Sequence, residues 1–162
     1  MSAPRRPARI GFLLAQLGAH AAELFAHKTR ELGITPAEAG VIRIIGRTPG
    51  ISQRELAQKF GAVQSRVVVL IDRLEAAGLA TRTRRANDRR IQEIELTDAG
   101  RQLLVALGRA ARSQEATLTQ GLSERRKTEL YALLAELGSL RGLDPDVHPA
   151  YRAAAADPDA PD

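Results

Sequence analysis

Five arginines fall within nine residues, at Arg82, Arg84, Arg85, Arg89 and Arg90. So many guanidinium groups repel one another unless something anionic lies among them. They surround a turn-forming tip, Arg85-Ala86-Asn87-Asp88-Arg89-Arg90. Guanidinium groups on a thin projecting hairpin suit two tasks, neutralising phosphates and entering a minor groove. A solvated hairpin with Asp88 balancing charge is the plainer alternative. A second set lies upstream, Gln64-Ser65-Arg66, with Val68 and Val69 one turn on. Gln and Arg can make bidentate bonds to adenine and guanine edges, Ser can bond a base or a phosphate, and valines can meet thymine methyls. A helix start also attracts phosphate. An ordinary amphipathic helix with a polar beginning is the alternative here.

The elements that must position these groups are legible from spacing. Ser52-Gln53-Arg54-Glu55 is a capping box, with Ile51 placed to staple onto Leu56. Gly61 stops that helix after Phe60. A second helix runs over about 63–77, with Val67, Leu70, Ile71 and Leu74 facing the core. Gly78 sits just past its end, and Leu79 can pack back on Leu74 as in a Schellman motif. Two helices joined by a short turn, the second longer, follow the helix-turn-helix plan. From Leu79 the period changes to two. Leu79, Thr81 and Thr83 alternate with Ala80, Arg82 and Arg84, and Ile94 and Leu96 alternate with Glu93 and Glu95. The expected fold is mainly α with a small β-hairpin wing (α+β).

Around this unit lie further helices. One spans about 9–32, with Ile10, Leu13, Leu14, Leu17, Ala21, Leu24 and Phe25 as its stripe and Gly33 as its stop. Thr35-Pro36-Ala37-Glu38 caps a short buried helix carrying Val41, Ile42, Ile44 and Ile45. Thr97-Asp98 caps a long helix to about 119, and Ser123 caps a last one with Leu130, Leu133, Leu134 and Leu137. The expected division is a flexible arm at 1–8, one domain at 9–143 and a disordered acidic tail at 144–162. Within the domain, 34–98 forms the winged helix-turn-helix, and 9–33 and 99–140 form dimerisation helices. A small winged unit cannot bury all these stripes, and joining them across a two-fold axis would do so. A helical cap on the same protomer is the alternative.

Composition narrows the function classes. Aromatic residues are 3% of the 162, so the core is Leu, Ile, Val and Ala. No run of apolar residues approaches membrane-spanning length, and the basic, then apolar N-terminus resembles a signal peptide only weakly. A cytoplasmic, nucleoid-associated protein is expected. Absence of cysteine removes disulfides, thiolate metal sites and thiol redox switching. There are no paired carboxylates in a plausible pocket, no glycine-rich phosphate loop and no H-E-x-x-H, so no catalysis and no cofactor are expected. Net charge is +5. Beyond residue 140, Arg141 and Arg152 face five aspartates, a net of −3 that leaves +8 on the first 140 residues. A basic body suits a polyanionic partner.

The chain over 30–140 resembles the MarR family of bacterial winged-helix transcriptional regulators. The resemblance rests on D-R-L-E-x-x-G-L at Asp72 to Leu79, D-R-R at Asp88-Arg89-Arg90 and L-T-x-x-G at Leu96 to Gly100. It implies a homodimer with interlocking terminal helices, bound as a repressor to double-stranded DNA at a palindromic operator. It implies Gln64, Ser65 and Arg66 as major-groove readers, Arg89 and Arg90 as wing contacts, and Asp88 as a tip organiser holding Arg90. Arg54, Val69, Arg82 and Arg84 complete the expected DNA-binding set. Val68 and Val69 stand where many relatives carry threonine and arginine, which shifts phosphate contacts toward the wing, Arg54 and Lys59.

The resemblance also implies a small-molecule effector, such as an aromatic anion, in a cleft between the dimer helices and the winged unit. His20, His27, Arg30 and Arg43 are the polar candidates for it. His20, Glu23, His27 and Glu31 share a helical face that could hold a divalent cation, but two histidines on an exposed helix are ordinarily solvated. No metal is expected. The other functional readings are an activator without a ligand, and a winged-helix assembly module whose basic hairpin contacts an acidic protein.

Overall fold

The computed structural model describes residues 9–85 and 88–143, with backbone alone at 85 and 88–91. The expected arm at 1–8 and tail at 144–162 lie outside the described residues, as do the tip at 86–87 and the side chains of Asp88, Arg89 and Arg90.

The capping residues start the helices where their chemistry demands. Thr35 and Ser52 each accept from the N–H three residues on, while Glu38 and Glu55 each accept from the capping residue's N–H, at 2.8 Å and 2.9 Å. They open α2 (Pro36–Arg47) and α3 (Gln53–Phe60). Ser52→Ala is expected to cost about 1 kcal/mol by orphaning that donor. A urea melt showing no shift would refute the cap's contribution. Before α2 runs α1 (Ile10–Glu31), and after α3 runs α4 (Gln64–Ala76). The hairpin is β2 (Ala80–Arg85) and β3 (Asp88–Leu96), followed by α5 (Asp98–Leu118) and α6 (Glu124–Leu140).

A two-residue strand, β1 (Ile51–Ser52), precedes α3 and was not signalled by the sequence. It pairs antiparallel with β3, Ile51 opposite Ile94, so the sheet order is β1-β3-β2. Two residues are too few to show a period, and Ile51 read equally well as a staple. Its side chain is buried in the same core as Leu56.

That core lies between α2, α3, α4 and the base of the sheet. Phe60, Ile42, Ile45, Ile51, Leu56, Ile71, Leu74 and Ile94 are its largest fully buried side chains. In β2 the inward face is that of Ala80 and Arg82, while Thr81 and Thr83 are exposed. Polar alternation alone could not decide this, because threonine suits either face of an edge strand.

The helices outside this core bury little of their apolar stripes within one protomer. α1 packs on α5 and α2 through its C-terminal half, where the Gln114 amide donates to the Ala21 carbonyl at 2.8 Å. Ile10, Phe12 and Leu17 stay exposed, as do Tyr131, Leu133 and Leu140 of α6, a helix with no buried residue. Among the described residues no helix is long and apolar enough to cross a membrane.

Candidate nucleic-acid interface

The turn between α3 and α4 is made by Gly61 at φ +69°, whose N–H donates to the Ala57 carbonyl at 3.0 Å. It leaves α4 to begin after Val63, an N-cap residue with no capping side chain. Gln64 and Ser65 are exposed at this start, Arg66 is half-buried, and Val69 is 50% exposed one turn on. Val67, Leu70, Ile71 and Leu74 take the opposite face. Arg54 on α3 and Arg84 on β2 are exposed. Val68 is half-buried, so of the two valines only Val69 stands on the outward face.

Arg82, expected among the DNA contacts, is turned inward. Its guanidinium is paired with the Glu75 carboxylate and lies 2.6 Å from Asp72, and it donates to the Val68 carbonyl at 3.4 Å. The Arg82 N–H also donates to Glu75, at 2.8 Å. Its side chain is only 17% exposed. Physically, two carboxylates on the last turns of α4 capture the arginine nearest the base of β2, which lies over the helix. In the free chain Arg82 is thus a strut that fixes the hairpin against α4 rather than a group standing open on the wing surface. Asp72 and Glu75 are the partners sequence reasoning missed. The signal was present in D-R-L-E: the two acids are three apart on a helix and share a face.

A second knot fixes the base of the hairpin. Gly78 takes φ +69°, and the Leu79 N–H donates to the Leu74 carbonyl at 2.8 Å, which is Schellman geometry. The Thr97 hydroxyl donates to the Gly78 carbonyl at 2.6 Å and accepts from the Gly100 N–H at 3.1 Å. The Thr97 N–H donates to the Leu79 carbonyl at 3.1 Å. The G-L and L-T-x-x-G sequences are thus two halves of one junction.

The expected effector residues part company. Arg43 lines a cleft of about 320 Å³ between α1, α2 and α5, together with Phe25, Arg47, Leu104 and Leu107. His20, His27 and Arg30 are exposed on α1 and do not line it. They belong to the outer face of that helix, where His27 Nδ1 lies 3.4 Å and Lys28 Nζ 3.1 Å from Glu31. The Lys28 hydrogen bond, more than the charge of Lys28 and His27, holds the Glu31 carboxyl below its usual range. Arg47 was missed, although it stands one turn after Arg43 on the same face of α2. Among the described residues no three His, Asp or Glu side chains converge as a cation site.

A helix-turn-helix braced to a three-stranded wing and flanked by long helices defines a winged-helix regulator. The model of the MarR family matches residues 32–91. The transcriptional repressor CouR, solved bound to a 23-mer DNA duplex, is 30% identical with a TM-score of 0.70, over 80% of this chain and 92% of that one. The chain belongs to the MarR family. Wild-type MarR from E. coli, in its apo form, is 22% identical with a TM-score of 0.73 and shares the fold over 82% of this chain and 98% of that one. A putative transcriptional regulatory protein for the hcr operon of Thauera aromatica is 31% identical over 105 residues, 65% of this chain. The match spans 63% of the Thauera protein's length. Relatives and fold are those of transcriptional regulators, not enzymes.

Proposed function

We propose that the chain is a homodimeric repressor that binds a palindromic DNA operator and is released by a small aromatic anion. The observation that carries the reading is the bracing of the wing. Arg82 holds the hairpin to α4, so Gln64, Ser65 and Arg66 and the exposed Arg84 are carried on one braced unit. In this reading α4 enters a major groove, with Gln64 and Arg66 on base edges and Ser65 and Arg54 on bases or phosphates. Arg84, Arg89 and Arg90 meet the backbone or the adjoining minor groove, with Asp88 organising the tip.

Two copies are supported by the exposed apolar stripes of α1 and α6, which nothing among the described residues covers and a two-fold partner would. Two recognition helices would then meet half-sites about one helical turn apart, roughly 34 Å. The α1/α2/α5 cleft suits an anion with an apolar body. Arg43 and Arg47 line it beside Phe25, Leu104 and Leu107, and a ligand there would bias how the winged unit sits on the dimer helices.

The test is titration of the DNA adjoining the chain's own coding region by fluorescence anisotropy at several salt concentrations. Arg84→Ala and Arg90→Ala should each lower the salt slope by about 0.9 per phosphate contact, so by nearly 2 for a dimer. Absence of specific binding at moderate salt would overturn the DNA reading, and an unchanged slope would overturn the wing assignment. A monomer in sedimentation would refute the two-fold arrangement. Failure of millimolar benzoate to weaken DNA binding or raise the melting temperature would refute the aromatic-anion assignment.

A further inference from the structure

We propose that Val69 reads a thymine through its C5-methyl group, which makes one T·A pair in each half-site a determinant of binding. The inference rests on the DNA-binding reading above and gives it a base code.

Ser65 and Val69 are one turn apart and point away from the buried face of Val67, Leu70, Ile71 and Leu74. Val68 is half-buried, and its carbonyl accepts from Arg82. Asp72, next along the outward line, is held by Arg82 at 2.6 Å. That neutralises the one acid on this line, which would otherwise repel phosphate. Val63, 64% exposed, precedes the first turn and lies about 120° round the helix from Val69 at 100° per residue. Val69, 50% exposed, is thus a single apolar spot among Gln64, Ser65 and Arg66.

One valine in polar and cationic surroundings is too small for a protein-docking patch, which needs contiguous apolar area. It does match the one apolar group the major groove displays, the thymine methyl. It also discriminates against cytosine, whose N4 amine would lose a water partner beside an alkyl group and gain no acceptor.

Binding sites can be selected with the full chain from a randomised 24-base-pair duplex library. Each thymine common to the selected half-sites is then replaced by deoxyuridine, which lacks only the methyl. Replacement in one half-site should weaken the wild-type chain by about fourfold, and in both half-sites together by about 15-fold, from the burial of one methyl each. Val69→Ala, at an exposed position, should keep the wild-type melting curve and bind both duplexes equally. Equal wild-type affinity for thymine and uracil sites overturns the proposal, as does undiminished discrimination by Val69→Ala. A library that yields no enriched duplex removes the DNA-binding reading itself, a separate and earlier failure.

Discussion

Gly100→Ala is expected to cost about 3 kcal/mol of stability, the upper end of what overpacking usually exacts. A Cβ at residue 100 would stand 2.0 Å from the Leu79 carbonyl oxygen and 3.0 Å from its carbon. Neither atom can step aside. The oxygen accepts from the Thr97 N–H, and residue 79 is pinned by its own N–H on the Leu74 carbonyl. On the third side the Leu96 Cβ would be 3.2 Å away. Relief would require α5 to lift from the hairpin, breaking the Thr97 bonds to the Gly78 and Leu79 carbonyls. Gly46→Ala provides the contrast. Its Cβ would lie 2.3 Å from Leu104 Cδ2, the end of a flexible side chain. Leu104 also borders clefts of about 320 Å³ and 240 Å³ on its two sides, so it has somewhere to turn. That substitution should cost only about 1 kcal/mol. Urea melts of the two variants should separate by roughly 2 kcal/mol. Similar midpoints would mean that the α5–hairpin junction is looser than its hydrogen bonds imply.

The contrast also shows what sequence can and cannot carry. Helix starts were legible because a threonine or serine with a glutamate three residues on is a local device, complete within four residues. Helix ends were legible at Gly61 and Gly78, where a left-handed residue is needed. The hairpin was legible as a change of period. What escaped depends on distant partners. Gly100 stood out only as part of a motif, and its reason, the Leu79 carbonyl, is 21 residues away in sequence. β1 is defined by its pairing with β3, and its two residues hold no pattern. Among the site residues, Gln64, Ser65 and Val69 are exposed on α4 as their spacing implied. Arg82 and Arg84 are chemically identical and two apart, so a strand puts them on one face, yet their environments differ. Arg82 lies over α4, whose acids reach it, whereas Arg84 lies farther out along the hairpin and is exposed.

That difference leads to the second large effect. Arg82→Ala should lower stability by about 2 kcal/mol, whereas Arg84→Ala should stay within about 0.5 kcal/mol of wild type. The first figure is set below the range for fully buried pairs because Asp72 is 56% and Glu75 31% exposed. Arg82→Lys should not restore the loss, since a single ammonium cannot span Asp72, Glu75 and the Val68 carbonyl as the planar fork does. Under the DNA-binding reading, both alanine variants should weaken the complex but by different physics. Arg84→Ala removes a phosphate contact and lowers the salt slope. Arg82→Ala frees the hairpin from α4 and leaves the Asp72 carboxylate uncompensated on the outward line of the recognition helix, an expected loss of roughly 30-fold in affinity. Adding Asp72→Asn to Arg82→Ala should recover part of that affinity, by removing the exposed anion, while the lost stability stays lost. If Arg82→Ala instead melts like wild type and changes only the salt slope, then in solution Arg82 leaves Glu75 for the DNA, and the wing is held by the sheet alone.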